Sequence, residues 1–340
     1  MKTWNEVYAN AKTLCAKCRC CPVCDGRACR GETPGPGGKG SGSAFVRNSE
    51  MLKKILIQMD TITSNEEIDT ASDFFGHPVA LPVYAAPISG IEQNYGAKMR
   101  DDDYTRELVE GCLQANTLAF TGDGMHDEMF KGPMEIVKQH NGYGIPTIKP
   151  WQYEHMKWRI ELANEGNALA IASDIDASGL SNLRNSVTPV GFKSVEDLKE
   201  IKAMCKVPFI LKGILSVAGA RKALAAGADG IIVSNHGGRV LDDSPSGIEM
   251  LEEIVNVVDG RMKVFVDGAF RSGNDVFKAL ALGADGVLIG RPASQAVIGG
   301  MAEGIRIYME KIQLELKEAM AMSGCKSIQD ITRDKVIVTF

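Results

Sequence analysis

Residues 234–239, with the sequence Ser-Asn-His-Gly-Gly-Arg, place a proton acceptor and a permanent cation three positions apart. They follow the apolar run 228–233, which predicts a buried β-strand that ends where the polar residues begin. His236 can accept a proton, and the guanidinium of Arg239 can hold a carboxylate through two parallel hydrogen bonds. A base beside a carboxylate clamp suggests a hydroxy acid as substrate. The alternative is an ordinary strand-to-loop turn, which the nearby Asp242 and the two glycines make less favourable.

Cysteines form the second group of residues with chemical potential, because six of the nine lie within one short segment. Two C-x-x-C pairs, Cys15 with Cys18 and Cys21 with Cys24, can bring four thiolates onto zinc or an iron-sulfur cluster. Cys20 and Cys29 are alternative ligands. Two other interpretations remain open, namely reversible thiol chemistry and reduced cysteines without a site.

Residues 31–43 are rich in glycine and proline, which predicts a loop with Lys39 as the charge at its centre. This loop is either a flexible joint or a lid and anion nest over the active site. We therefore divide the chain into an N-terminal Cys-rich and Gly-rich segment, residues 1–45, and a barrel, residues 46–340.

The elements that must position these residues alternate between short apolar strands and amphipathic helices. Eight strand-like runs occur at residues 79–86, 117–121, 144–149, 168–174, 207–212, 230–234, 263–267 and 286–290. Helical periodicity is clear in residues 104–115, 195–204, 217–226, 247–258 and 274–282, and a long helix is predicted near residues 301–322. Residues 225–233 are echoed at residues 281–289, as consecutive barrel units require. The sequence predicts an α/β fold, a (β/α)8 TIM barrel with an N-terminal Cys-rich extension.

Several cations lie at the predicted strand ends. Residues 267–273 and 290–292 supply backbone amides and two arginines after strands seven and eight, where this architecture binds phosphate. Lys212 ends strand five, and its ammonium requires an anion in the barrel mouth, such as an electron-rich cofactor ring. The alternatives are plain glycine turns and a structural salt bridge.

Composition limits the class of protein. The chain has 340 residues, 44% hydrophobic and 24% charged, which suits one barrel domain. A net charge of -5 gives no basic footprint for nucleic acid, so we expect a small-molecule partner. No run of about 18 apolar residues occurs, and the first residues lack an apolar signal-peptide core. We expect a cytoplasmic homo-oligomer that does not enter a membrane.

Four segments resemble the FMN-dependent 2-hydroxy acid oxidase and dehydrogenase family, which includes glycolate oxidase and lactate oxidase. The segments are residues 207–213, 232–242, 264–273 and 275–292, and the resemblance is dense from about residue 195 to 335. Upstream it reduces to Ala-Ala-Pro-Ile-Ser at residues 85–89. The resemblance implies FMN as cofactor and oxidation of an (S)-2-hydroxy acid, such as lactate or glycolate, to the 2-oxo acid. The electrons would pass to oxygen or to another acceptor.

The resemblance also implies roles for individual residues. His236 is the expected base, Arg239 the expected carboxylate ligand, and Lys212 the expected partner of the reduced flavin. Asp174 and Asp176 compete for the role of orienting His236, and strand register favours Asp174. The expected cofactor contacts are Pro87, Ile88, Ser89, Thr121, Lys149, Lys212, Ser234, Asp267, Gly268, Arg271, Gly290 and Arg291.

Departures from the family pattern affect the substrate more than the cofactor. The third strand of the family usually ends with Gln, followed two residues later by a substrate-contacting Tyr, whereas this chain has Lys149 and Trp151. A second carboxylate-binding arginine after strand four could only be Arg184, at a shifted spacing. We therefore expect Trp151 and Arg184 to contact substrate together with Arg239.

Two rival hypotheses remain. Another FMN-barrel enzyme, similar to type 2 isopentenyl diphosphate isomerase or to IMP dehydrogenase, would share the phosphate end but does not account for His236 and Arg239. A non-catalytic flavin- or metal-binding redox sensor would keep the barrel and use the cysteines to report redox state.

Overall fold

A computed structural model describes residues 3–340. Its centre is a sheet of eight parallel strands in the order β1-β8-β7-β6-β5-β4-β3-β2. The strands are β1 (Val83–Ala85), β2 (Phe120–Thr121), β3 (Ile145–Ile148), β4 (Ile171–Asp174), β5 (Phe209–Ile214), β6 (Gly230–Val233), β7 (Lys263–Asp267) and β8 (Gly286–Ile289). A parallel bridge between Ala85 and Ala119 joins β1 to the start of β2 and closes the barrel. The predicted (β/α)8 fold is confirmed.

Eight helices surround the strands. They are α1 (Asp101–Gln114), α2 (Glu128–Gln139), α3 (Tyr153–Glu165), α4 (Val195–Met204), α5 (Val217–Ala225), α6 (Gly247–Val258), α7 (Gly273–Ala281) and α8 (Arg291–Met322). Serine starts three of them with a capping box, in which the serine hydroxyl accepts from an amide one turn ahead: Ser194 for α4, Ser246 for α6 and Ser272 for α7. These caps explain why the sequence located these helices well.

Helix α8 begins ten residues before the predicted start, with Pro292 in its first turn, and it is kinked at Met301. Gly299 and Gly300 weakened the helical signal there. The helix Trp4–Leu14 explains these glycines, because a Cβ at Gly299 would collide with the carbonyl oxygen of Val7. Glycine therefore permits two helices to pack closely.

The barrel interior is a packed core, so ligands can enter only at the rim. Phe74, Tyr84, Phe120 and Phe265 fill it in edge-on and tilted contacts. Phe74 comes from a hairpin, Ser72–Phe74 with His77–Val79, that precedes β1. Two further strands, Ile55–Ile57 and Val336–Val338, pair antiparallel outside the barrel. Within residues 3–340 no helix is both long enough and apolar enough to span a bilayer.

The N-terminal segment is joined closely to the barrel. Val7 and Ala11 of the first helix are fully buried, and Ala11, Cys15 and Cys20 belong to the main hydrophobic core. The expected boundary at residue 45 falls inside the helix Ser43–Lys53. Residues 3–45 therefore share the core of the barrel.

Candidate active site

One large cavity opens at the carboxyl ends of the strands, and residues that follow most of the barrel strands line it. Twelve of the predicted residues line it: Pro87, Ile88, Ser89, Lys149, Lys212, His236, Arg239, Asp267, Gly268, Arg271, Gly290 and Arg291. The structure therefore brings together residues that lie more than 200 positions apart in the chain.

His236 reaches the cavity from a left-handed turn, with φ 56°, directly after β6. A buried amide pair supports this turn, because Asn48 and Asn235 exchange hydrogen bonds of 2.9 and 3.0 Å. The amide of His236 also donates to Ser234 Oγ at 3.0 Å. The next residues must be glycine, since a Cβ at Gly238, where φ is 77°, would collide with the backbone of Phe45.

Two aspartates compete for the imidazole, and the geometry distinguishes them. His236 Nδ1 lies 2.8 Å from Asp176 Oδ1 and 3.4 Å from Asp174 Oδ1. Asp176 follows β4 in a 3₁₀ turn, Ile175–Gly179, which rotates its side chain towards β6. The preference for Asp174 from strand register is therefore not supported by the contacts. Because Nδ1 is engaged by carboxylate, Nε2 is the nitrogen free to exchange a proton with a ligand.

Asp174 lies closer to two lysines than to His236. It forms ion pairs with Lys149 and with Lys212, the latter at 3.1 Å. Burial alone would raise the pKa of Asp174, but His236, Lys149 and Lys212 hold it well below its usual range. Burial raises the pKa of Asp176, with opposition from His236 and Lys212. One carboxylate is thus fixed as an anion, while the other has an elevated proton affinity.

Arg239 extends into the cavity without an acidic partner within 4.0 Å in the part of the chain described. It donates to backbone carbonyl oxygens of Gly35 and Gly37 and to Asn94 Oδ1, the last at 3.2 Å. Burial and the nearby Arg291 lower the pKa of Arg239 to about 10. A guanidinium in this position is stabilised by any anion that enters the cavity.

The residues at the ends of β7 and β8 fit a flavin mononucleotide. Two buried polar atoms of lining residues have no hydrogen-bond partner within residues 3–340: Asp267 Oδ1 and Arg271 Nε. Arg271 and Arg291 are positioned for a terminal phosphate, and Lys212 is 96% buried with its charge at the cavity wall. A cofactor with hydroxyls and a phosphate satisfies these groups.

Six predicted site residues lie outside the cavity lining, namely Asp174 and Asp176, described above, and four others. Ser234 contacts it indirectly, since its hydroxyl accepts from Lys212 Nζ at 3.3 Å, and Thr121 is buried beneath the lining. Trp151 turns into the protein, where Nε1 donates to Asp123 Oδ2 at 2.6 Å. Arg184 stacks over Phe192 at 5.9 Å. Neither Trp151 nor Arg184 is placed to contact substrate, because neither side chain lines the cavity.

Sequence reasoning missed several lining residues. Asn94 and Tyr95 come from the short helix Ile91–Tyr95 after β1, and Asn182 comes from the short helix Ser181–Arg184 after β4. The strand-end rule, extended a few residues beyond Ser89, would have found the first two. The lid interpretation of residues 31–43 agrees with the structure, because residues 33–36 line the cavity.

The cysteines separate into two groups. Cys15 and Cys20 are buried in the hydrophobic core, whereas Cys18, Cys21, Cys24 and Cys29 line a second cavity. Within residues 3–340, the one group of three or more potential metal ligands within 4.8 Å of one another is Asp174, Asp176 and His236. The predicted quartet of Cys15, Cys18, Cys21 and Cys24 is therefore not assembled as a single-ion site, since Cys15 points into the core.

Comparison with known proteins agrees with this geometry. A family model described as FMN-dependent dehydrogenase matches residues 36–187 and 99–338. The chain is 32% identical to 4-hydroxymandelate oxidase of Amycolatopsis orientalis, covering 89% of this chain and 94% of that protein. It is 46% identical to the peroxisomal (S)-2-hydroxy-acid oxidase GLO4 of Oryza sativa subsp. japonica, covering 88% and 89%. A solved structure of mandelate oxidase with benzoyl-formic acid, 27% identical, has a TM-score of 0.79 over 100% of this chain and 99% of that chain.

The barrel, the phosphate end and the base with its guanidinium define an oxidoreductase that acts on CH–OH groups with a flavin. The chain belongs to the FMN-dependent dehydrogenase family. The predicted family and the FMN cofactor are confirmed, and the two rival enzyme classes and the sensor are not favoured.

Proposed function

We propose that this protein oxidises an (S)-2-hydroxy acid to the 2-oxo acid. The observation that carries the proposal is that His236 and Arg239 face the same cavity as Lys212, Arg271 and Arg291. A base, a carboxylate ligand and a flavin cradle are thus within reach of one small molecule. Relatives named as hydroxy acid, glycolate and mandelate oxidases support this assignment.

In the proposed mechanism, Arg239 holds the substrate carboxylate, which supplies the anion that this guanidinium lacks. His236 Nε2 removes a substrate proton, and Asp176 accepts from Nδ1 and stabilises the imidazolium. Bound FMN supplies the two-electron acceptor. Lys212 and Lys149 place positive charge at the cavity wall beside it, with Asp174 as their shared counter-ion.

Two classes of 2-hydroxy acid, which differ in size, are candidate substrates. Small acids such as lactate or glycolate satisfy the polar groups alone. An aromatic hydroxy acid, of the kind that the mandelate oxidases are named for, is favoured by the apolar lining from Met125, Met129, Leu180 and Leu183. These four side chains provide a surface on which a ring can pack.

Anaerobic bleaching of the flavin tests the proposal. Purified protein is mixed without oxygen with lactate, glycolate, mandelate or a longer 2-hydroxy acid, and the flavin absorbance is recorded. At least one acid is expected to bleach it, and the rate constants rank the substrates. No bleaching by any of these acids, in protein that contains FMN, contradicts the proposal.

The electron acceptor is proposed to be oxygen or a one-electron carrier, and hydrogen peroxide production in air distinguishes the two.

We also propose that residues 15–29 hold metal through sulfur, as zinc or an iron-sulfur cluster. The reason is that six cysteines this close repel one another as thiolates unless a cation compensates them. Metal analysis on anaerobically purified protein checks this.

We further propose a cytoplasmic homo-oligomer. All nine cysteines are free, as in a reducing compartment, although some relatives are named as peroxisomal. Association could cover Val187 and Phe192, which are exposed after β4. Sedimentation analysis and imaging of a tagged chain test the two statements.

A further inference from the structure

We propose that Cys18, Cys21, Cys24 and Cys29 ligate one polynuclear iron-sulfur cluster, in the cavity beside the phosphate end of the flavin site. The proposal rests on metal binding by the cysteine segment and is independent of hydroxy acid oxidation. It differs from the sequence expectation, since Cys29 replaces Cys15 as a ligand.

The first observation is the lining of the cavity. The four thiols line one cavity, together with Pro36, Arg291 and Gln295. A 3₁₀ turn, Arg27–Cys29, returns the chain so that Cys29 faces the other three sulfurs. Gly26 permits this return, because its φ is 87° and a Cβ would collide with the ring of Phe45. Cys15 and Cys20 do not line this space, and both belong to the apolar core.

The second observation is a buried polar side chain directed at this cavity. Gln295 is 1% exposed, its Nε2 donates to Cys18 Sγ at 3.4 Å, and its Oε1 has no partner among residues 3–340. Arg271 Nη2 likewise donates to Cys24 Sγ at 3.6 Å. N–H donors to sulfur are the groups by which proteins tune iron-sulfur clusters.

Charge is consistent with a bound anionic cluster. Four thiolates carry four negative charges, which ferric and ferrous iron offset only in part. Arg291 lines the cysteine cavity and the flavin cavity, and Arg271 lines the flavin cavity while it contacts Cys24. These two arginines therefore offset negative charge in the cysteine cavity and in the flavin cavity.

The spacing of the sulfurs favours a cluster over one zinc ion. A tetrahedral zinc site with bonds of about 2.3 Å holds its sulfurs roughly 3.8 Å apart. No three cysteine sulfurs within residues 3–340 approach one another within 4.8 Å. A cluster divides its four thiolates among two or four iron atoms, so that no three of the sulfurs need to lie close together. The observed arrangement therefore suits several metal atoms.

Two alanine variants of the full-length protein test the assignment. Wild type, Cys29→Ala and Cys15→Ala are purified anaerobically and incubated with ferrous iron and sulfide, or with zinc as a separate arm. Iron, zinc and acid-labile sulfide are then measured per chain. Wild type and Cys15→Ala should hold roughly two to four iron atoms with equal sulfide, and dithionite should produce an electron paramagnetic resonance signal. Cys29→Ala should lose most of the iron while retaining FMN.

Three results would overturn the assignment: one zinc per chain with no sulfide, no bound metal in wild type, or loss of iron in Cys15→Ala alone. Cys112→Ala serves as a second control, because Cys112 is fully buried in helix α1, outside the cysteine segment. Anaerobic bleaching by hydroxy acid is recorded on the same preparations. It reports on the proposed oxidation separately from iron content, so the two proposals can fail independently.

Discussion

The rim of the barrel and the covering segment, residues 31–43, stabilise charged side chains in different ways. At the rim, Lys212 and Asp174 are almost fully buried and pair with each other at the ends of adjacent strands. In the covering segment, residues 33–37 present backbone carbonyls, to which Arg239 and Arg291 donate. Strands therefore fix the groups that require precise charge, while the loop contributes neutral acceptors that a ligand can replace.

This difference indicates which region controls the chemical step and which controls access to the cavity. Asp242 anchors the covering segment, accepting from the amide of Ser43 at 3.1 Å and from its hydroxyl at 2.7 Å. Lys39 donates to the carbonyls of Gly179 and Val240 at 3.2 and 2.9 Å. Changes at the rim should consequently alter the chemical step, and changes at the anchors should alter binding and stability.

The largest effect is expected at the rim, from His236→Ala. Loss of the base should slow anaerobic flavin reduction by about 10²–10⁴-fold. FMN content should stay unchanged, because the cofactor is held by other residues. Stopped-flow absorbance measures the rate, and a variant that reduces its flavin at the wild-type rate would remove His236 from the mechanism.

Arg239→Lys should have the next largest effect, because Arg239 lines the cavity at the rim and also donates to the covering segment. One ammonium cannot replace a planar fork, so KM should rise roughly 10- to 100-fold while kcat changes less. Arg184→Lys is the matched control, since Arg184 stacks on Phe192 away from the cavity. Equal effects of the two substitutions on KM would contradict the placement of both arginines.

Asp242→Asn should weaken the anchor of the covering segment. Burial opposes ionisation, but hydrogen bonds from Ser43 and Ser41 hold the pKa of Asp242 well below its usual range. A depressed pKa stabilises the fold above the unfolded value, of about 3.9, and this stabilisation disappears as pH falls through the folded value. The variant should therefore lose about 1 kcal/mol in the free energy of unfolding at neutral pH.

Denaturant titrations at descending pH check this sign. The stabilities of wild type and Asp242→Asn should converge as the solution becomes more acidic. A difference that grows on acidification would refute the role of the ionised carboxylate.

Trp151→Phe should have the smallest effect on catalysis. The indole contacts Asp123 and Arg159 instead of the cavity, so kcat/KM should change by less than about threefold. Loss of the buried hydrogen bond should still lower the free energy of unfolding by about 1–2 kcal/mol. Steady-state kinetics and thermal unfolding measure the two quantities, and a large rise in KM would restore Trp151 as a substrate contact.

Much of the fold and half of the site followed from local sequence. Each barrel strand is a short apolar run, and the parallel fold places every carboxyl end at one rim. His236, Arg239, Lys212 and Arg271 were therefore predictable from position alone. The predicted domain boundary at residue 45 was less informative, because the sequence does not show that the helix Trp4–Leu14 packs against α8.

The sequence by itself determined the barrel, the phosphate end and the base with its guanidinium, because these depend on periodicity and on residues at strand ends. Tertiary structure alone decided that Asp176 holds His236, since a 3₁₀ turn reverses the alternation that strand register implies. It also decided that Cys29 joins the cysteine cavity and that Cys15 leaves it. Spacing along a chain records which side chains can meet, but their directions depend on the packing of distant helices around them.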